Sequence, residues 1–213
     1  IKKLLVPNIR NKTVLVSGAG GSIGTELCKQ ILAIQPEHLI MLDNSEFNLY
    51  QIERKLINLN KNIKLKITPI LASIQDIDRI ENIFKTFNIQ TIYHAAAYKH
   101  VPLIEKNITE GIKSNIFGTQ SLVKMSIKYK IEDFILISSD KAIRPTNFMG
   151  ATKRISEIIC LSNQTGKIKT KFCVVRFGNV IGSSGSVIPL FQEQISYGGP
   201  ITVTHKKIKR FFM

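Results

Sequence analysis

Short apolar runs and longer amphipathic stretches alternate along most of this chain. Thr13–Ser17 (TVLVS) is apolar and β-branched, and it is followed by a glycine cluster and by a segment from Ser22 to Ile34 with apolar residues at Ile23, Leu27, Ile31 and Ile34. That order predicts a strand, a tight turn and a helix. The alternation then recurs: HLIML from His38 reads as a second strand, Glu46–Asn60 as an amphipathic helix and Leu65–Leu71 as a third strand. A helix with Ile77, Ile80, Phe84 and Phe87 on one face precedes the strand TIYHA from Thr91. A long helical stretch then ends near Lys130, before the strand DFILI from Asp133, a helix from about Met149 to Asn163 and the strand KFCVV from Lys171. Six strands alternating with helices imply a parallel sheet covered on both faces, so the predicted fold class is α/β, doubly wound.

After Val175 the texture changes to the glycine- and serine-rich RFGNVIGSSGSVIP, an apolar helix-like piece from Leu190 to Tyr197, and GGPITVTH. This divides the chain into a first domain, 1–175, and the start of a second, smaller one, 176–213. The opening Ile and the closing RFFM read as cuts in a longer polypeptide.

Of the 213 residues 44% are apolar, enough to bury one substantial core, and no stretch approaches a membrane span or a signal peptide. The formal charge of +15 raises the question of a nucleic-acid partner, but the basic residues are spread along the whole chain and accompany an excess of Ile and Asn. A solvated basic surface is expected, and no nucleic-acid interface. Cys28, Cys160 and Cys173 are odd in number and lie in apolar or periodic surroundings, which predicts buried reduced thiols and a cytoplasmic setting. His38, His94, His100 and His205 show no metal-ligand spacing, so no metal is expected.

Gly18, Gly21 and Gly24 follow the first strand at G-x-x-G-x-x-G spacing, at the mouth of the first helix, with Ser22 and Ile23 between the last two. Glycine lets backbone approach a pyrophosphate, and the helix N-terminus offers free N–H groups and the positive end of its dipole. The loop therefore predicts dinucleotide binding. Asp43, at the end of the second strand, can accept hydrogen bonds from the adenosine ribose; Asn44 and Ser45 beyond it supply no arginine for a 2′-phosphate, so NAD is expected over NADP.

Six ordered strings, GAGGSIGTELC, HAAAYKHVPLIE, NIFGT, SSDKAIRPTNFMGATKR, RFGNVIGSSGSVIPLF and ITVTHKKIKRFFM, cover the chain from Lys12 to Met213. They resemble the bacterial polysaccharide-biosynthesis branch of nucleotide-sugar 4,6-dehydratases, extended short-chain dehydrogenases on a Rossmann fold. The resemblance implies a UDP-N-acetylhexosamine substrate, UDP-N-acetylglucosamine in particular, oxidised at C4 by bound NAD, losing water across C5 and C6 and regaining hydride at C6, with C5 configuration retained. It implies an NAD-binding domain over 1–175 and part of a substrate-binding lobe over 176–213, with residues past Met213 needed for full turnover.

Most short-chain dehydrogenases carry Y-x-x-x-K on the helix after the fifth strand, the tyrosine taking the hydroxyl proton and the lysine lowering its pKa. This chain has Met149 where that tyrosine would stand, with Lys153 after it. Methionine accepts no proton. The same methionine marks the long, membrane-anchored members of the resembled branch, which implies membrane helices before Ile1 and a domain on the cytoplasmic side of an inner membrane; a homo-oligomer is also expected. Lys153 is expected at the nicotinamide ribose and Ser139 at O4, with the base for the C4 hydroxyl left open. Asp140 and Lys141 are the expected elimination pair: the acid protonates the leaving hydroxide, and an amine kept neutral by burial or by a nearby cation removes the C5 proton.

Around these, the resemblance makes Asn115 a helix-bending asparagine beside the cofactor, and Ala95, Ala96 and Ala97 small residues that leave the cofactor room. Lys99, His100, Asn179 and Arg210 are candidate contacts to the substrate's phosphates or hydroxyls. Two other readings remain open. A C4-epimerase or reductase would share the glycine loop but ordinarily carry tyrosine at position 149, and a non-catalytic NAD-sensing protein would tolerate Met149.

Overall fold

The computed structural model describes residues 2–60, 65–183, 185–203, 205–207, 209 and 211–213, without the side chains of 2–4 and 60. It divides into two compact units, Ile1–Arg176 and Phe177–Met213. In the first, six strands, β1 (Thr13–Ser17), β2 (His38–Asp43), β3 (Lys66–Leu71), β4 (Thr91–His94), β5 (Asp133–Ile137) and β6 (Lys171–Val175), form one sheet in the order β3-β2-β1-β4-β5-β6. All pairings are parallel. This is the Rossmann order, and its direction reverses between β1 and β4, where a crevice opens at the carboxyl ends of the strands.

The central strands are apolar because both faces are covered. In β1, Leu15 belongs to one core with Ile40, Phe84, Leu122 and Phe134, while Val14 and Val16 belong to the other with Ile31, Met41, Ile52 and Leu56. Period-two side chains thus feed two cores at once. The helices are α1 (Lys2–Ile9), α2 (Ser22–Leu32), α3 (Glu46–Asn60), α4 (Ile77–Thr86), α5 (Val101–Lys106), α6 (Ile108–Gly111), α7 (Gly118–Lys128) and α8 (Phe148–Ser162).

Four features depart from the sequence reading. α1 was not signalled, yet Ile9 at its end is buried and the Asn8 carbonyl accepts from the Thr91 hydroxyl at 2.8 Å, so it docks on the sheet. The long helix before Lys130 is interrupted: α5 and α6 are separate, and Ile112–Phe117 is π-helical before α7 begins. On α4, Ile77 is exposed, and Ile80, Ile83 and Phe84 form the buried face. Cys28 and Cys160 are buried, with burial pushing each thiol up to about 12, but Cys173 is exposed on the edge strand β6, where one flank has no neighbouring strand.

The second unit contains α9 (Val187–Ser196), none of whose residues is buried. The Gln194 side chain accepts from Thr202 N at 3.0 Å and donates to its hydroxyl at 2.8 Å, and Asn179 pairs with the tail in a parallel bridge to Phe212. No helix among the described residues is long and apolar enough to cross a membrane.

Candidate active site

The turn between β1 and α2 is shaped by two close approaches. Gly18 has φ +70°, and a Cβ there would meet Ala96 N at 2.6 Å; a Cβ on Gly24 would lie 1.9 Å from the Gly18 carbonyl oxygen. Only glycine fits either place. Gly24 is buried beneath the turn, whereas Gly21 is exposed and stands at the N-cap of α2, where it makes no side-chain hydrogen bond. Ser22 and Ile23 are that turn's first two residues.

Beside it a groove of about 190 Å³ is lined by Gly18, Gly21, Asp43, Ala95, Ala96 and Ala97, together with Asn48, Ser73, Gln75, Tyr98 and Ser114. Asp43 is buried, and its carboxylate accepts from Gly20 N at 2.8 Å and Ser45 N at 2.9 Å, so the residue that faces the groove also ties two loops together. The cradle that a Cβ would fill, the uncapped helix start, the carboxylate and the three alanines fit a dinucleotide.

Asn115 lies in the π-helical stretch and is fully enclosed. Its amide holds both polar groups of Tyr98's backbone, accepting from N at 2.8 Å and donating to O at 3.0 Å, and donates to the Thr152 hydroxyl at 2.9 Å. It fastens the loop after β4 to α8. A π-turn is a costly local departure that recurs near functional sites, and here it aims one amide at two elements.

At the end of β5 the Ser139 hydroxyl accepts from Lys141 N at 3.2 Å, capping the 3₁₀ turn Asp140–Ala142, and donates to Asp140 Oδ1 at 2.9 Å. Lys141 Nζ donates to the same oxygen at 3.1 Å. Burial alone would raise the Asp140 pKa, but the hydrogen bonds from Lys141 and Ser139 outweigh it and the net shift is downward. Lys141 is 39% exposed and pairs with a carboxylate, whereas the sequence reading called for a buried amine or a nearby cation. The start of α8 presses on this turn, since a Cβ on Gly150 would lie 2.3 Å from the Lys141 carbonyl oxygen.

One helical turn separates Met149 from Lys153 on α8, and both are buried. Lys153 Nζ donates to the Ile137 carbonyl at 2.6 Å, and burial brings its pKa down to about 8. Lys99 and His100 lie in the exposed loop leading to α5; desolvation lowers both pKa values, that of His100 with help from the Lys99 charge. Asn179 belongs to the second unit, where its amide donates to the Phe211 carbonyl at 3.0 Å. Arg210 lies outside the described residues.

The sequence pattern of the polysaccharide biosynthesis protein family matches residues 14–213. The chain belongs to that family. It is 45% identical over 210 residues to the capsular polysaccharide biosynthesis protein CapD of Staphylococcus aureus, covering 99% of this chain and 35% of that protein. It is 34% identical to an inverting UDP-N-acetylglucosamine 4,6-dehydratase of Campylobacter jejuni (95% of this chain, 59% of that one) and 33% identical to a UDP-glucose 4-epimerase of Rickettsia bellii (95% and 59%). The solved structure of Pen from Bacillus thuringiensis superposes with TM-score 0.88 at 38% identity, covering 97% of this chain and 64% of that one. DesIV, a dTDP-glucose 4,6-dehydratase from Streptomyces venezuelae solved with NAD and TYD bound, shares the fold (TM-score 0.75, 20% identity, 89% and 63%). The chain spans about a third of CapD's length and under two thirds of the others.

Two groups in this family member carried no signal in the reading of motifs. His94 is buried between Ser17 Oγ (2.7 Å from Nδ1) and Thr119 Oγ1 (2.9 Å from Nε2), and burial, then the Lys153 charge, push its pKa down to about 3. The Thr119 hydroxyl donates to the Asn115 carbonyl at 2.6 Å, so Nε2 must donate to Thr119 and Nδ1 accept from Ser17. Glu157 is the other, a buried carboxylate one turn after Lys153; that spacing was its only trace in the sequence.

Proposed function

We propose that the protein to which this chain belongs is a nucleotide-sugar 4,6-dehydratase acting on a UDP-N-acetylhexosamine in the making of surface polysaccharide, with NAD held along the groove. The observation that carries this reading is the Ser139–Asp140–Lys141 turn at the carboxyl end of β5, a hydroxyl, an acid and an amine joined by hydrogen bonds of 2.9 and 3.1 Å where α/β sheets bind ligands. The names of the CapD and Campylobacter relatives support the pathway and the substrate class.

Bound NAD would supply a hydride acceptor for C4 and a hydride donor for C6. Ser139 would hydrogen-bond O4, whose proton, released as C4 gives up its hydride, passes to a base other than Met149 and makes good the proton that Asp140 loses with the departing water. Elimination needs an acid at O6 and a neutral amine at C5, and the pair as it stands is an ion pair. One proton passed from Lys141 to Asp140 gives both forms at once, and exclusion of water by substrate favours the uncharged pair. Lys141 then takes the C5 proton, the C5–C6 double bond forms, and hydroxide leaves C6 with the Asp140 proton as water. A proton returns to C5 as hydride reaches C6, so the net change is loss of one water. Lys99, His100, Asn179 and Arg210 are the proposed contacts to the nucleotide and sugar, in a protein anchored by segments outside this chain and assembled as a homo-oligomer.

The epimerase relative keeps a second reading in view; Met149, buried and without a titratable group, stands where an epimerase ordinarily carries tyrosine, and either reaction needs another group to take the O4 proton. The test is incubation of the full-length protein with UDP-N-acetylglucosamine, reading product mass and proton spectrum. A product lighter by one water, with a 4-keto and a C6 methyl group, supports dehydration; an unchanged mass with altered C4 configuration makes it an epimerase, and no turnover favours the sensor. Retention is expected at C5, although the Campylobacter relative's name says inverting, and the same spectrum reads it.

A further inference from the structure

Glu157 is a carboxylate with no exposed side-chain surface that the proposed chemistry does not touch. Four hydrogen bonds converge on it: from Ser138 Oγ at 2.6 Å, from Arg176 Nε and Nη2 at 2.7 and 2.6 Å, and from Arg154 Nη1 at 2.9 Å. Ser138 immediately precedes Ser139, and its N–H donates to the Val175 carbonyl at 2.7 Å, one residue before Arg176. One turn earlier on α8, Lys153 holds the carbonyl of Ile137. Two charged groups on one face of α8 therefore grip consecutive residues at the end of β5, just before the reactive turn.

A buried ion pair is weak evidence for stability, because desolvation offsets the attraction. What such a pair supplies here is direction. The fork of Arg176 meets both carboxylate oxygens side-on, and the Ser138 hydroxyl reaches one of them in the same arrangement, so the carboxylate has little freedom to turn.

We propose that Glu157 is a positioning residue, holding Ser138 and through it the Ser139–Asp140–Lys141 turn in register for elimination. The inference rests on the dehydratase reading of that turn. A displacement of about 1 Å in a reacting group costs on the order of 100-fold in rate.

The experiment compares Ser138→Ala, Arg154→Ala and Glu157→Gln in the full-length protein, reading kcat and KM for UDP-N-acetylglucosamine, NAD per chain, thermal midpoint and deuterium uptake at C5. Ser138→Ala and Arg154→Ala each remove one hydrogen bond from the same carboxylate, but the Arg154 bond stays within α8. Ser138→Ala is expected to lower kcat and C5 exchange together by roughly 10–100-fold, with KM and NAD content within about twofold. Arg154→Ala should leave kcat unchanged. Glu157→Gln should match or exceed the Ser138→Ala loss, and if it fails to fold the first two variants still decide. Equal kcat values for the two, with thermal midpoints lowered in parallel, would mean a merely structural carboxylate and overturn the proposal. Wild-type protein that does not dehydrate overturns the dehydratase reading and this inference with it; active wild type with an unimpaired Ser138→Ala overturns the inference alone.

Discussion

Around the groove at the ends of β1, β2 and β4 the closest approaches are backbone on backbone, with Gly18 against Ala96 and Gly24 against the Gly18 carbonyl, whereas the turn at the end of β5 is held by long side chains that reach across elements. Among the described residues that line the groove the charged one, Asp43, is buried and bound by two backbone N–H groups. The turn's Asp140 and Lys141 are 48% and 39% exposed and bound to each other. A rigid wall suits a ligand that stays; an exchangeable pair suits groups that must swap a proton during each turnover. On the dehydratase reading, this difference means that binding and chemistry should fail separately.

Lys141→Ala gives the sharpest separation. Loss of a positioned base typically costs about 10²–10⁴-fold, so dehydration by the full-length protein should fall by that factor while NAD per chain stays unchanged. Oxidation at C4 should survive as a 4-keto sugar that keeps its C6 hydroxyl, and C5 should cease to exchange in deuterated solvent. Near wild-type dehydration would place the base elsewhere and break the comparison.

Gly24→Ala probes the other side. With the new Cβ 1.9 Å from the Gly18 oxygen, the turn must shift, and overpacking of this kind costs about 1–3 kcal/mol, divided between stability and NAD affinity. Calorimetric titration with NAD and a urea midpoint would read both parts. Unchanged values for both would show that the turn is not rigid.

Asp43→Asn is expected to cost somewhat less, about 1–2 kcal/mol of NAD affinity, because an amide cannot accept from both Gly20 N and Ser45 N and also serve a ribose. The affinity for NADP should fall little or improve, so the ratio of the two affinities is the measurement.

The smallest effect belongs to His94, which ties the end of β1 to α7 by linking Ser17 to Thr119. Its folded pKa of about 3 lies below the ordinary 6.5, so the unfolded chain binds the extra proton. The resulting stability is present above about pH 6.5 and is lost as pH falls toward 3. Glu157, brought down to about 2 by Arg176, Ser138 and Arg154 against the opposing effect of burial, contributes stability present above about pH 4.5 and lost toward pH 2. His94→Gln should cost about 1 kcal/mol at pH 7 and flatten the decline in urea midpoint between pH 6.5 and 4.5, where Glu157 does not yet titrate. An undiminished slope in that interval would remove His94 from this account.

Much of the groove was legible in the chain because its determinants are local. Strand, glycine turn and helix follow each other within Thr13–Leu32, and alternating apolar runs set six parallel strands whatever their neighbours. Ser139, Asp140 and Lys141 are also adjacent in sequence, so their meeting needed no tertiary information. The rest needed the fold. The stretch that ends near Lys130 reads as one helix, and the π-turn that interrupts it accompanies the reach of Asn115 to both Tyr98 and Thr152. His94 and Glu157 looked like a strand histidine and a helix-face acid; their partners lie 77 and 25 positions away for His94 and 19 for Glu157. Ser73 and Gln75 entered the groove wall only when β3 paired with β2. Residue order determined which segments become strands and where backbone can approach a phosphate, since those depend on neighbours in the chain. The tertiary structure decided which polar groups are buried and with what partner, because desolvation and hydrogen bonding act between residues that only folding brings together.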